Sequence, residues 1–351
     1  MPTASNSRLL DLLGIELPII QAPMAGATTP DMVIAVSEAG GLGSLPSALY
    51  TEVELRAALD RVRAGTRRPI NINFFCHANP DNDAARQSAW LACLAGYYAE
   101  AGLNLNMPKA PSGRTPFDAA ACAVVEAYRP EVVSFHFGLP SAELVDRAKR
   151  SGAKVLASAT AVAEARWLAD RGVDAVIAMG SEAGGHRGSF LTEEMSEQVG
   201  TFALVPQIVD AVSVPVIAAG GIADRRGVAA AFALGAAAVQ VGTAYLFTPE
   251  ANISEVHRRA LNAPDRPTAI TNLFTGRPAR GIVNRIMTDL GPLSEFAPVF
   301  PTAGSALGPL RRAAEDAGRD DFTPLWAGQS FPLAKPMPAA ALTRMLASAG
   351  A

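Results

Sequence analysis

The sequence predicts a TIM-type (β/α)₈ barrel followed by a smaller, mainly helical C-terminal cap domain. Short apolar runs alternate with longer helical patterns along the chain, which is typical of parallel βα units. The short runs are apolar almost throughout, as expected for parallel strands that are covered on both faces. Eight such runs precede residue 248, and eight parallel βα units favour a closed barrel over an open doubly wound sheet.

The strands and helices follow from this alternation in chain order. The predicted strands are Pro18–Pro23, Leu42–Leu45, Pro69–Phe75, Val132–Phe137, Lys154–Ser158, Ala175–Met179, Pro215–Ala219 and Ala238–Gly242. The predicted barrel helices are Thr29–Ala39, Thr51–Ala64, Ser141–Ser151, Ala161–Arg171, Phe202–Val212 and Arg225–Leu234.

Two regions depart from the repeat. Residues 76–131 are too long for one crossover, so we expect a helical insertion there, with two helices joined by the stretch Asn106–Pro116. Residues 248–351 contain no further clear βα unit and read as a helical cap with helices at Leu307–Ala317 and Ala339–Ser348. We therefore expect a barrel domain over residues 1–247 and a cap or substrate domain over 248–351.

Composition excludes several classes of protein. Of the 351 residues 49% are apolar and 18% charged, which indicates a compact globule. The formal net charge of −3 gives no indication of a basic surface that would bind nucleic acid or an anionic membrane. We see neither a secretory signal nor an apolar run long enough to span a membrane, and expect a cytoplasmic protein.

Cysteines and acids do not form a metal-binding pattern. Cys76, Cys93 and Cys122 are too widely spaced for a zinc site or a disulfide framework, so we expect them to be reduced. The acidic residues near the glycine-rich loops have no paired-ligand spacing. We expect no metal.

The strongest motif is a pair of small-residue turns after the last two strands. Segment 214–227 reads VPVIAAGGIADRRG, and segment 236–246 reads AAAVQVGTAYL. Glycine lets backbone N–H groups approach an anion closely, and barrels often bind phosphate after strands seven and eight. We therefore predict a phosphate site at Gly220, Gly221, Gly242 and Thr243; the alternative is two tight turns without a ligand.

A second motif places a histidine in a glycine-rich loop. GSEAGGHRGSF, residues 180–190, follows the sixth predicted strand. Gly184 and Gly185 would let a flat ring lie against the backbone, and His186 could donate a hydrogen bond or exchange a proton. The alternative is a histidine that only satisfies loop carbonyls.

Three further positions are weaker candidates when taken alone. Pro23 and Met24 end the first strand, where a rigid turn and a soft side chain could face a planar cofactor. Asn73 and His136 stand near strand ends, and each has an equally good reading as a locally satisfied polar residue. His257, in the charged stretch SEVHRRA, reads as a solvated helix residue.

Taken together, the motifs resemble the nitronate monooxygenases. The resemblance rests on QAPMAG, NINFF, SEAGGHRG, AAGGI with QVGT, and WAGQ at residues 326–329, and it runs from about Leu17 to Gln329. It implies a TIM barrel with a helical second domain and FMN as the cofactor. It also implies oxidation of an alkyl nitronate, such as propionate 3-nitronate, by molecular oxygen to a carbonyl compound and nitrite.

The resemblance also implies roles for individual residues. His186 would be the active-site histidine and His136 a second histidine of the pocket. The cofactor would be contacted at its ring by Pro23, Met24, Asn73, Gly184 and Gly185, and at its phosphate by Gly220, Gly221, Gln240, Val241, Gly242 and Thr243.

Two departures from the family pattern concern the pocket. Met179 stands where the family often has glutamine, so a polar contact to the flavin is missing or made by backbone. Phe300 stands in place of a tyrosine, which predicts a more apolar pocket.

Two rival functions stay open at this point, and so does the formation of a homodimer. The first rival is an FMN- and NADPH-dependent enoyl-ACP reductase, and the second is a barrel that binds a phosphorylated ligand without catalysis.

Overall fold

The computed structural model describes residues 4–81, 83–107 and 113–348, and it confirms the predicted TIM barrel. Each predicted strand is present, with bounds that differ by at most two residues. The barrel strands are β1 (Ile19–Gln21), β2 (Gly43–Pro46), β3 (Ile70–Phe75), β4 (Val132–His136), β5 (Lys154–Ala159), β6 (Ala175–Met179), β8 (Val216–Ala219) and β9 (Ala238–Val241). A smaller antiparallel sheet is made by β7 (Gly185–His186), β10 (Thr268–Thr271) and β11 (Ala279–Ile282).

The barrel is closed by hydrogen bonds between its first two strands. Parallel pairing runs in the order β1-β9-β8-β6-β5-β4-β3-β2. At the remaining seam, Gln21 N donates to Leu42 O at 3.0 Å, and Leu42 N donates to Ile19 O at 2.9 Å. All eight strands therefore point their carboxyl ends to the same mouth, where barrel enzymes carry their sites.

The helices follow the strands in the predicted order. Those of the barrel and its insertion are α1 (Ala4–Leu13), α2 (Pro30–Glu38), α3 (Glu52–Gly65), α4 (Ala84–Glu100), α5 (Ala119–Tyr128), α6 (Ala142–Arg150), α7 (Val162–Asp170), α8 (Thr201–Ala211) and α9 (Arg225–Ala233). The C-terminal region adds α10 (Glu255–Leu261), α11 (Arg285–Asp289), α12 (Gly304–Asp316) and α13 (Ala339–Ala347). None of the helices in the described ranges has the length and apolarity needed to cross a membrane.

Helix α3 shows why these segments are helical. Its buried residues Leu55, Leu59 and Val62 recur at the spacing of one helical face. Thr51 and Glu54 form a reciprocal capping box, which satisfies two backbone N–H groups that the first turn leaves free.

The predicted insertion contains two helices, α4 and α5, as expected, but they pack in different places. Cys122 and Val125 of α5 join the barrel core, whereas Trp90 and Tyr98 of α4 form a separate core with α12. Trp90 Nε1 donates to Ala303 O at 3.1 Å. Of the predicted connection Asn106–Pro116, residues 108–112 lie outside the described residues.

The C-terminal region differs from a purely helical cap in two ways, while the predicted boundary at residue 247 remains a prediction. Strands β10 and β11 form a hairpin, and β11 pairs with β7 of the barrel loop. Helix α13 belongs to the barrel layer, because Ala339, Leu342 and Leu346 lie in the barrel core. A single apolar helical face does not reveal which core it joins, so the sequence could not make this assignment.

Loss of packing at α13 should destabilise the barrel. We expect Leu342→Ala, at a side chain only 1% exposed, to lower the free energy of unfolding by about 2–5 kcal/mol, because it leaves a cavity. Leu333→Ala, at a leucine 46% exposed, is the control and should change it by much less. Denaturant titration with circular dichroism measures both; equal effects would show that α13 does not support the barrel.

Candidate functional site

A single cavity at the mouth of the barrel collects nearly all of the predicted site residues. Its volume is about 340 Å³, within the range of cofactor and ligand sites. Its walls include Pro23, Met24, Asn73, His136, Met179, Gly184, Gly185, His186, Gly220, Gly221, Gln240, Gly242 and Thr243. Residues distant in sequence meet here because each follows the carboxyl end of a neighbouring strand.

Val241 is the exception among the predicted residues. Its side chain is 1% exposed and packs in the core between the barrel and its helices, and it does not line the cavity. Its carbonyl accepts a hydrogen bond from Ala22 N at 2.8 Å. Side chains of a strand alternate between faces, so the neighbours Gln240 and Val241 cannot both face the mouth.

The two glycine turns lie side by side and present free backbone donors. Ala219 pairs with Gln240 in the parallel register, which sets the turn after β8 beside the turn after β9. Gly220 and Gly221 have φ values of +106° and +72°, and a residue with a side chain would be strained in this backbone conformation. Within the described residues, the N–H groups of Gly220, Gly221, Gly242 and Thr243 donate to no protein acceptor. Such a group of uncovered N–H donors is suited to an anion.

The segment Trp326–Ser330, which contains the WAGQ motif, ties these turns to the glycine-rich loop. Gly328 N donates to Thr243 Oγ1 at 2.9 Å, and Ser330 Oγ donates to Gly221 O at 2.8 Å. Gln329 N donates to Glu182 O at 3.0 Å. One C-terminal segment therefore fixes three loops of the barrel mouth.

The two glycines before His186 serve different purposes. A Cβ on Gly184 would lie 2.5 Å from Gly328 N, so this glycine is required by the close approach of the C-terminal segment. Gly185 has φ +74° and would meet nothing within 4 Å, so only this one leaves open space beside the cavity. Both glycines line the cavity, and the prediction that they make room for a flat ring stays a prediction.

His186 is held by the cap as well as by the barrel. It forms β7 with Gly185, and β7 pairs antiparallel with β11, where His186 lies opposite Ala279. Its Nε2 lies 2.9 Å from Thr275 Oγ1. Its Nδ1 has no hydrogen-bond partner among the residues that the structure describes. The ring therefore has one nitrogen anchored and one available.

His136 has both ring nitrogens engaged. Nδ1 lies 3.0 Å from Ser158 Oγ, and Nε2 lies 3.2 Å from His186 O. The second contact holds the backbone of the neighbouring histidine. His136 is thus placed to position His186, although its ring also lines the cavity.

Burial keeps these histidines uncharged at neutral pH. Desolvation lowers the pKa of His136 to about 4, with smaller effects of Arg277 and Arg187. Desolvation, followed by the charge of Arg114, lowers the pKa of His186 well below its ordinary value. A neutral imidazole, able to donate a hydrogen bond or to act as a base, is therefore favoured for His186 over an imidazolium cation.

One wall of the cavity is aromatic: Phe75 and Trp326 line it, and Phe300 packs against Phe75 without lining it. Phe300, which replaces the family tyrosine, lies 5.4 Å from the His186 ring and 6.2 Å from Phe75 between ring centroids. Trp326 lies 5.6 Å from His186. Phe300 is not among the residues that line the cavity, so the more apolar pocket predicted from it stays a prediction.

His257 is not the solvated helix residue that its charged neighbours suggest. It is 8% exposed, its Nε2 lies 3.2 Å from Trp326 O, and it lines the cavity. Desolvation lowers its pKa to about 4. Helix α10 turns this position towards the cavity, which the local sequence does not show.

The remaining polar groups of the cavity suit a planar, polar ring. Asn73 Nδ2 donates to Ser134 Oγ at 3.0 Å, which leaves its Oδ1 without a partner among the described residues. Gln240 Oε1 is buried without a hydrogen-bond partner. Met179 contributes a thioether where the family often has an amide, so no polar side-chain contact arises there.

Sequence reasoning missed Arg114, which also lines the cavity. It lies in the stretch interpreted as a connection, and a single arginine in a loop carries no local pattern. In the described part of the chain, no group of three or more His, Cys, Asp or Glu residues could hold a metal ion.

The fold and cavity define a TIM-barrel protein with a ligand site at the carboxyl ends of its strands. Residues 6–348 match the family model described as nitronate monooxygenase, and the chain belongs to that family. It is therefore an oxidoreductase of a family that acts on nitronates and related nitroalkanes.

Individual relatives agree with this assignment. The nitronate monooxygenase of Paraburkholderia phytofirmans is 44% identical, covering 96% of this chain and 93% of that protein. The structure of nitroalkane oxidase from Streptomyces ansochromogenes superposes with a TM-score of 0.87 at 39% identity, covering 97% and 96% of the two chains. FabK from Thermotoga maritima has a TM-score of 0.72 at 30% identity, with 97% and 95% covered.

The depressed histidine pKa values predict a loss of stability in mild acid. The unfolded chain binds protons near pH 6.5, whereas folded His136 and His257 bind them only near pH 4. Stability should therefore fall as the pH is lowered from 6.5 towards 4, by up to ~1.4 kcal/mol per pH unit for each histidine. Denaturant titrations across this range measure it. His136→Gln should flatten the dependence, and an unchanged slope in this variant would contradict the prediction.

Proposed function

We propose that the protein oxidises alkyl nitronates, such as propionate 3-nitronate, with molecular oxygen to a carbonyl compound and nitrite, and that FMN is its cofactor. The observation that carries the proposal is the group of free N–H donors on the paired turns after β8 and β9. A phosphate is the anion that such turns bind in barrels of this type.

The residues that line the cavity offer groups suited to FMN at its phosphate and at its ring. Gly220, Gly221, Gly242 and Thr243 would bind its phosphate through their backbone N–H groups. The unpartnered oxygens of Asn73 and Gln240 would accept hydrogen bonds from the polar edge of its ring. Glu182 lies beside Gly221, but its carboxylate accepts hydrogen bonds from Thr201 N and Oγ1 at the start of α8, which offsets its charge.

The protein's own part in the reaction is binding, orientation and exclusion of water. Bound FMN would supply the electron transfer between substrate and oxygen. A nitronate is already an anion, so no base is needed to form it. Neutral His186 can offer its Nδ1 either as a donor to a nitro oxygen or as an acceptor, depending on which way the hydrogen bond to Thr275 runs. The aromatic wall formed by Phe75 and Trp326 would exclude water from the reacting atoms.

The glycine turn provides a test of the cofactor. Gly221→Ala adds a side chain at φ +72°, and we expect it to weaken FMN binding roughly 5- to 30-fold, because the turn must reorganise at a cost of roughly 1–2 kcal/mol. Gly172→Ala is a matched control at φ +75°, in the turn after α7 and away from the cavity. FMN titration of the apoprotein, followed by flavin fluorescence, measures the affinity. Equal affinity in the two variants would place the phosphate elsewhere.

Products and reductants provide the test of the reaction. The wild-type protein should release nitrite aerobically from alkyl nitronates and should not bleach rapidly when mixed with NADPH without oxygen. Rapid bleaching without nitrite release would favour the enoyl-ACP reductase alternative. A colourless protein that binds no added FMN would favour the non-catalytic barrel.

His186→Asn tests the histidine within the same assay. We expect at least a ~100-fold lower kcat with full flavin content, because a positioned donor at the reacting group is lost. Unchanged turnover with full flavin would remove His186 from the mechanism.

A further inference from the structure

Arg114 is a cation at the cavity wall with no anionic partner among the described residues. Among the described residues its side chain makes no ion pair and no hydrogen bond, and its Nε is buried without a partner. The other arginine of the wall, Arg311, pairs with Glu315 at 2.8 Å. A guanidinium that is partly withdrawn from water without a carboxylate is costly, and the cost is recovered when an anion binds.

The position of Arg114 sets its charge beside the proposed reaction centre. Its Cζ lies 5.9 Å from the centroid of the Phe300 ring, and the same ring lies 5.4 Å from His186. Its charge contributes to lowering the pKa of His186. Arg114 and His186 thus both lie beside the Phe300 ring, and both line the same cavity.

The histidines near Arg114 do not carry a positive charge at neutral pH and so cannot replace that of the arginine. The pKa of His77, whose ring lies 4.8 Å from Phe300, is lowered to about 4, mainly by desolvation. His136 and His186 are likewise uncharged at neutral pH. At this side of the cavity, arginine is the residue whose charge persists, because its guanidinium does not lose its proton in proteins.

We propose that Arg114 binds a planar two-oxygen anion carried by the substrate. The inference rests on the proposed function. The fork of the guanidinium matches a pair of coplanar oxygens, and both a nitronate group and a carboxylate carried further along the substrate have this geometry. The aromatic wall beside it accommodates the carbon chain that joins the two groups.

The test compares Arg114→Gln and Arg114→Lys with the wild-type protein, all loaded with FMN. Propanoate and nitrate serve as unreactive planar anions, and their binding is measured by calorimetry at constant ionic strength. We expect ~10- to 100-fold weaker binding to Arg114→Gln, because charged hydrogen bonds are lost, and a smaller loss for Arg114→Lys. Arg166→Gln, at an exposed arginine on α7, is the control and should bind as the wild type does.

Steady-state kinetics distinguish the two sources of the anion. If KM rises for both ethyl nitronate and propionate 3-nitronate, Arg114 holds the nitronate group; if it rises only for the second substrate, Arg114 holds the carboxylate. Either result supports the proposal. Wild-type anion affinity and unchanged KM in Arg114→Gln would overturn it. If Arg114→Gln does not fold, Arg114→Lys provides the test. It should fold, and it should bind the planar anions more weakly because lysine lacks the forked pair of donors.

The result is independent of the proposed reaction. Anion binding that depends on Arg114, without nitrite release by the wild type, would uphold the anion site and reject the proposed reaction. Nitrite release by the wild type that does not change in Arg114→Gln would uphold the proposed reaction and reject the anion site.

Discussion

The antiparallel pairing of β7 with β11 is the interaction on which the site depends. It joins the loop after a barrel strand to a hairpin of the C-terminal region, with Gly185 opposite Arg280 and His186 opposite Ala279. Without it, His186 would sit on a long glycine-containing loop with no fixed orientation. Arg280 strengthens the junction, because its Nε donates to Ser181 O at 2.8 Å within the same loop. The catalytic end of the barrel is thus completed by residues that come almost one hundred positions later in the chain.

The same C-terminal region decides the electrostatics of the cavity. Trp326 and Phe300 pack against the His186 ring, and burial of that ring is the main reason that its pKa is low. A neutral imidazole can act as donor or acceptor, whereas attraction of an anionic substrate requires a lasting charge. Under the proposed function, the first task falls to His186 and the second to Arg114. Both residues are separate from the backbone donors of the glycine turns, where a phosphate would bind.

Predictions from local sequence were most accurate where one local rule dominates. Strand and helix bounds agreed to within a few residues because apolar periodicity and the glycines that end helices, such as Gly40 and Gly172, act within one turn of chain. The predictions were incomplete where two cores compete for an apolar face, as for α4 and α13. The burial of His257 was missed for a similar reason. Its charged neighbours in sequence do not reveal that the segment around Trp326 covers it.

The sequence by itself determined the barrel, the order of its loops and the glycine-rich turns at its mouth. These features depend on periodicity and on backbone conformations that only glycine adopts readily, and both can be read from neighbouring residues. Only the tertiary structure decided that Val241 faces the core, that Gly184 makes room for Gly328, and that Arg114 reaches the cavity with no partner in the part of the chain that is described. The physical reason is that burial and charge compensation are properties of surroundings, and these surroundings are assembled from segments far apart in the chain.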